Sequence, residues 1–282
     1  MDILREINDE ELEFIIEKLK TRMPYKLKNL HYILSAQKCK TSGINNLSDK
    51  TLPTFYTHRN GIKKHCTIFG ITGERDHTVW YFTFDESLNE IRQCLNNTKF
   101  IKWNILSAFL TIHTEQIQPA LDFISNKKLK IKQNKQNFYL YLPIEKAHNF
   151  DIVIPSETVL EPLKEEDASL CNSLWAFKSD NSEIWVKSLI LVHGGYALRR
   201  KDTRELLSFG LINDHLAIGM LTTIEKAQRK GYAEIIVKQL VKKLIEINIT
   251  PIVYVHNPNA LKLFQKLGFI SISNSNWIFI QK

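Results

Sequence analysis

The chain has 282 residues, 44% of them hydrophobic, and carries 38 Lys and Arg against 30 Asp and Glu, a formal net charge of +8. That apolar content is enough for one large core or two modest ones, and no apolar run approaches the roughly 18 residues of a membrane span. Four cysteines, Cys39, Cys66, Cys94 and Cys171, are scattered without metal-ligand spacing, so free thiols in a reducing compartment are expected and a metal site is not.

Met1 to Glu6 lacks a signal-peptide core, and Asp9, Glu10, Glu11 and Glu13 follow it. An acid-poor transit peptide is disfavoured on that ground, and a cytoplasmic location is expected. Asp9 to Arg22 reads as an amphipathic helix, because Leu12, Ile15, Ile16 and Leu19 share one face and Pro24 stops it. A second helix is predicted over Tyr25 to Gln37, then a polar loop over Lys38 to Lys50 with Thr41-Ser42-Gly43 and Asn45-Asn46 as turn formers. Strands are predicted at His65 to Phe69 and Thr78 to Phe84, around a turn at Thr72 to Asp76. Asp85 or Ser87 is placed to cap a helix reaching about Leu95.

Ile105 to Ile112 reads as a strand, Thr114 to Ser125 as a helix, and Leu129 to Gln133 with Asn137 to Leu142 as a hairpin. The densest basic patch, Lys127 to Lys135, alternates lysine with Leu129 and Ile131. Such alternation describes the solvated face of a strand rather than a nucleic-acid interface, which needs a concentrated basic face with stacking aromatics. Pro155 to Pro162 is predicted to link two halves, at 1–150 and 151–282. Helices follow near Asp167 to Trp175 and Ser182 to Leu191. His193-Gly194-Gly195 forms a turn, and Tyr196 to Leu198 and Leu206 to Ile212 read as strands around a polar hairpin.

The stretch from Leu216 to Leu244 organises the second half. An apolar strand ends at Met220-Leu221-Thr222-Thr223, and the turn Gln228-Arg229-Lys230-Gly231-Tyr232-Ala233 opens a helix whose apolar residues recur at three- and four-residue spacing. The first turn of a helix presents N–H groups without internal partners and a partial positive charge. A glycine lets a ligand approach the backbone, and Arg229 and Lys230 add charge, so the turn suits a pyrophosphate. Pro251 to Val255 reads as a further strand, Asn257 to Leu267 as a helix, and Phe269 to Ser273 and Trp277 to Ile280 as two last strands. Strand, helix, strand, strand thus recurs in both halves, the signature of a repeated α/β plan.

Gln228-x-x-Gly231-x-Ala233 resembles the pyrophosphate turn of the GNAT superfamily of acyl-CoA N-acyltransferases. Asn257-x-x-Ala260 with Leu263-Phe264-x-Lys266-x-Gly268-Phe269 resembles its last helix and the strand after it. From about residue 60 onward the chain is similar to the glycine N-acyltransferase family. Ile101-Lys102-Trp103, Leu129 to Lys132, Asp167 to Trp175 and the Ser182 to Leu191 helix carry that similarity. The resemblance implies an α/β (α+β) mixed-sheet fold in two tandem GNAT-like halves, the N-terminal one (1–150) degenerate and the C-terminal one (151–282) binding acyl-CoA.

The same resemblance implies a co-substrate, acetyl-CoA or a longer acyl-CoA, with no metal. It places the pantetheine arm along Met220, Leu221, Thr222 and Thr223, the pyrophosphate on Gln228, Arg229, Lys230, Gly231, Tyr232 and Ala233, and Asn257 and Phe264 beside the arm. The partners implied are a coenzyme A thioester and a small amine such as glycine, with no nucleic acid and no membrane. The family also admits a mitochondrial location. A glutamate base is expected near the start of the central strand and a tyrosine in the last helix; here Ala217 and Phe264 stand there. His256 and His215 are the substitute proton acceptors, with Asp214 beside the latter. Two other functions stay open: an acyl-CoA-binding protein with little or no turnover, and an acetyltransferase acting on a protein or peptide amine.

Overall fold

A computed structural model describes residues 1–42, 52–73, 77–148, 150–175, 178 and 182–281 of the chain. In chain order the elements are β1 (Leu4–Glu6), α1 (Asp9–Lys20), α2 (Leu27–Thr41), β2 (Thr54–His58), β3 (Ile68–Ile71), β4 (His77–Phe82), α3 (Asn89–Asn97), β5 (Leu106–His113), α4 (Gln118–Asn126) and β6 (Ile131–Tyr141). After the short α5 (Ile144–Ala147) come β7 (Thr158–Pro162), α6 (Ala168–Leu174), α7 (Ser182–Val192), β8 (Gly195–Arg200), β9 (Leu206–Ile212), β10 (Ala217–Thr223), α8 (Tyr232–Glu246), β11 (Ile252–Val255), α9 (Pro258–Lys266) and β12 (Ile270–Ile280). The order of strands and helices from β1 to β6 is repeated from β7 to β12, as the sequence pattern implied.

The chain divides into two compact units. One holds Met1–Leu30, Leu47–Phe138 and Ser273–Lys282, the other His31–Asn46 and Tyr139–Ile272. In the first unit the strand order is β1-β2-β3-β4-β5, with the Ser273–Ile280 part of β12 beside β5. Neighbours from β1 to β4 run antiparallel, and β4 pairs with β5 in parallel. Its core gathers Phe69, Tyr81, Phe109, Ile112, Phe123 and Ile278 among others. The second unit repeats the scheme: β7, β8, β9 and β10 are antiparallel neighbours, and β10 pairs with β11 in parallel. Its larger core is built on α8, whose Ile236, Leu240, Val241 and Leu244 are fully buried with Ile218 and Val253.

Most predicted helices form where their apolar spacing places them. In α1, Leu12, Ile15, Ile16 and Leu19 are buried, and Asn8 and Glu11 close a capping box at its start. Several readings are corrected. Helix α2 runs to Thr41, so residues 38–41 are helical and not loop; the turn formers beyond them, and most of the predicted turn after Thr72, lie outside the described residues. The segment 155–162 contains strand β7, whose Thr158 to Pro162 pair with Arg200 to Tyr196.

The predicted hairpin at 129–142 and the two predicted strands at 269–280 are single eleven-residue strands, β6 and β12. Polar residues in their middles read as turn formers, yet they find partners within the sheet. Asn276 accepts from Thr114 Oγ1 at 2.7 Å and donates to Asn134 Oδ1 at 3.0 Å, and Ser275 pairs with His113. A satisfied asparagine has no reason to end a strand. The described residues contain no helix long and apolar enough to cross a membrane.

Candidate functional site

The site is built on β10. Asn213 shapes the turn before it: its Oδ1 accepts the N–H groups of His215 at 2.9 Å and Ala217 at 3.1 Å. Ala217 and Ile218 then pair with Ile252 and Val253 of β11, and the parallel pairing stops there. Met220 takes a left-handed conformation with φ 49°, and the register against β9 jumps between Gly219 and Thr222. This bulge turns the strand away from β11. Gly219 to Thr223 therefore keep β9 on one side, while on the β11 side the ladder does not continue past Ile218.

The far end of β10 is tied to the following turn. The Thr222 carbonyl accepts from Ser208 Oγ at 2.9 Å, and the Thr223 carbonyl accepts from Gln228 Nε2 at 3.3 Å. In the turn, Arg229 has φ 63° and Gly231, the N-cap of α8, has φ 81°. A Cβ added at Gly231 would meet nothing within 4 Å. The space in front of this backbone is thus open, and the glycine is needed for its dihedral angles. Among the described residues none accepts a hydrogen bond from the N–H groups of Arg229, Lys230, Gly231, Tyr232 or Ala233.

Five successive donors at a helix N-terminus, flanked by exposed Arg229 and Lys230, form a concave anion cradle. The one acidic side chain in the first turn, Glu234, is engaged by Lys266 at 2.7 Å and Lys238 at 2.9 Å, which hold its carboxyl below the usual range. It does not compete for the cradle. Tyr232 is buried against the core with its hydroxyl 3.5 Å from Glu157 Oε1.

The remaining site residues of the sequence reading fall in different places. Asn257 caps α9, its Oδ1 accepting from Asn259 N at 2.8 Å and Ala260 N at 3.4 Å. Phe264 is buried and meets the Phe269 ring edge-on at 5.1 Å. His256 is exposed at the end of β11. His215 is buried, stacked on Tyr32 at 4.4 Å with Tyr254 edge-on at 5.9 Å. The two histidines stand in different settings, His215 enclosed by the Tyr32 and Tyr254 rings and His256 exposed two residues beyond Tyr254.

Asp214 stands next to His215. Burial pushes its carboxyl up to about 6, against opposing hydrogen bonds from its own backbone and the Trp185 side chain. Nothing in the local residue pattern marks the Met220 bulge, or Asn213 and Ser208 as its supports, since each acts through a partner on another strand or turn. Burial raises the thiols of Cys39 and Cys66 to about 11 and of Cys94 and Cys171 to about 12, so none is a ready nucleophile. No group of His, Cys, Asp or Glu among the described residues could hold a metal ion.

Comparison with known proteins fits this geometry. Residues 195–278 match the family model of FR47-like proteins, and residues 3–122 match a domain family of unknown function, DUF5645. No curated protein matches the chain. Among solved structures, a tandem GNAT protein from the clavulanic acid biosynthesis pathway aligns with 99% of this chain and 97% of its own, at TM-score 0.58 and 7% identity. The chain has a tandem GNAT fold. A Drosophila protein solved by a structural genomics consortium shares this fold at TM-score 0.90 and 21% identity, over 100% of this chain and 99% of its own. A GCN5-related N-acetyltransferase-like protein from Streptococcus suis aligns at TM-score 0.51 and 11% identity, over 87% and 99%. In GNAT terms β7 to β12 form the second half, and the bulged β10 with the Gly231 turn lies at its centre.

Proposed function

We propose that the second half binds an acyl-CoA and transfers its acyl group to the amine of glycine or another small acceptor. One observation carries the reading: five unpaired N–H donors at the Gly231 turn continue, along one strand, into a backbone opened by the Met220 bulge. The turn suits the pyrophosphate, and the open side of Gly219 to Thr223 suits the amides of a pantetheine arm. Asn257 at the start of α9 and the α9 helix flank that arm. The halves of this reading are 1–150 and 151–282, a division supported by the repeat of element order from β7 onward.

In the reaction the acceptor nitrogen attacks the thioester carbonyl carbon. A C–N bond forms, the C–S bond breaks and coenzyme A leaves as the thiol. The ammonium proton of the acceptor must first pass to a base. His256 is the first choice because it is exposed at the open end of β11. His215 is enclosed by Tyr32 and Tyr254, which favours a packing role. The second reading, acyl-CoA binding with little turnover, is supported by Ala217, a fully buried residue without a titratable group at the start of β10.

The test is thiol release from acetyl-CoA and benzoyl-CoA against a panel of amines including glycine, with coenzyme A binding measured in parallel. Acceptor-dependent release establishes the transferase, and a loss of 100-fold or more in His256→Ala, with His215→Ala near wild type, locates the base. Tight binding with no release for any acceptor supports the second reading. Absence of binding sinks both.

A further inference from the structure

The first unit contains a cleft of about 310 Å³ that the proposed transfer reaction does not use. Arg22 and Lys26 stand at its wall. Each cation rests on a ring, Arg22 on Phe84 at 5.3 Å and Lys26 on Phe82 at 4.9 Å, so aromatic faces fix the two heads in place. Among the described residues no carboxylate lies within ion-pair distance of either. Burial, reinforced by the Arg22 charge and opposed by Glu115, holds the Lys26 amine below its usual range, so the pair is short of negative charge.

The floor adds donors. His113 is 2% exposed. Its Nε2 faces Asn29 Nδ2 at 3.2 Å; with that amide nitrogen as donor, Nε2 accepts and the ring proton is on Nδ1. His113 lines the cleft, and its buried Nδ1 has no hydrogen-bond partner; Glu115, also in the lining, has Oε1 3.4 Å from it. Ser273 Oγ, also lining the cleft, is buried and unpaired. A buried polar group without a protein partner is open to a ligand group or a water.

We propose that this cleft is a binding site for a small molecule bearing an oxyanion, a carboxylate or a phosphate. The oxyanion sits between Arg22 and Lys26 and accepts from His113 Nδ1 and Ser273 Oγ. A volume of about 310 Å³ also leaves room for a modest organic body.

Calorimetric titration of the full chain with inorganic phosphate and with acetate tests this, using chloride at equal ionic strength as the control. Gly231→Glu serves as background, so that the turn of the second half contributes nothing. Saturable binding of either probe, weakened at least tenfold in Arg22→Ala/Lys26→Ala, is the expected result. Phosphate alone, or acetate alone, then names the oxyanion. His113→Phe, which removes the ring donor while Arg22 and Lys26 remain, should weaken the same probe. No heat above chloride for either probe, or equal binding in the double variant, overturns the proposal.

Discussion

The two halves follow one plan and differ in what occupies the turn after the fourth strand. In the second half the N-terminus of α8 is open: Gly231 and its neighbours present five N–H groups to solvent. In the first half the matching N-terminus, at α3, is filled by the chain itself. Asp85 Oδ1 accepts from Ser87 N at 3.1 Å and Ser87 Oγ at 2.6 Å, and Asp85 Oδ2 accepts from Glu90 N at 3.1 Å. The strand beside it is filled too. Gln116 donates through Nε2 to the Thr83 carbonyl at 2.7 Å, and its Oε1 accepts from Thr83 N at 3.4 Å. A carboxylate and an amide of the protein thus stand where the second half leaves backbone donors without protein partners. The fold supplies the same strand-to-helix geometry twice, and on the proposed reading occupancy by side chains decides which copy binds.

The sharpest way to break this comparison is to close the open copy. Gly231→Glu places a carboxylate and a strained backbone at the cradle, and coenzyme A affinity should fall by about 100-fold or more while the far-ultraviolet dichroism stays that of the parent. Unchanged affinity would remove the turn from the site. The converse is to empty the closed copy. Gln116→Ala leaves the buried Thr83 groups without partners and should cost about 1–3 kcal/mol in denaturant unfolding, with coenzyme A affinity as in the wild type. A shift in affinity there would mean that the filled half takes part in binding.

Asp85 offers a smaller, pH-resolved contrast. Burial alone would raise its carboxyl, but the hydrogen bonds from Ser87 and Glu90 together bring it below the ordinary value. Its contribution is therefore present above the unfolded-state pKa and is lost as pH falls through the folded-state value, below about pH 4. Asp85→Asn should cost about 1 kcal/mol at neutral pH and flatten the acid limb of a stability-against-pH curve. An unchanged acid limb would show that the carboxylate is not what fills the helix end.

The strand entrances differ as well. β4 begins at His77, a buried ring whose Nδ1 donates to the Thr72 carbonyl at 2.9 Å and whose Nε2 accepts from Lys102 N at 3.0 Å. β10 is entered through Asp214, whose carboxyl is raised by burial to about 6. The folded state holds that proton where the unfolded chain has released it, so this group makes stability fall as pH rises from about 4 to about 6. Asp214→Asn should remove that slope and leave the protein more stable than wild type above pH 6, by an amount on the order of 1 kcal/mol. Melting temperatures across pH 4 to 8 decide it, and a wild-type slope in the variant would count against the buried carboxyl.

Much of the fold was legible because it depends on neighbours in the chain. The apolar spacing of Leu12, Ile15, Ile16 and Leu19 needs only the 3.6-residue period to become a helix face, and Gly231 in front of an amphipathic run marks a helix start open to an anion. The recurrence of element order over Ile105 to Leu142 and Pro251 to Ile280 pointed to the repeat, although each copy ends in one long strand where two were read. Tertiary structure decided what rests on partners far along the chain. Asn276 stays within a strand because Thr114 and Asn134 meet it. His215 is sealed because Tyr32 of α2 stacks on it. The Met220 bulge forms through a register jump against β9, and Gln116 blocks Thr83 across 33 residues of sequence. A local pattern fixes periodicity and dihedral preference, whereas the pairing of a buried polar group is set only once distant segments come together.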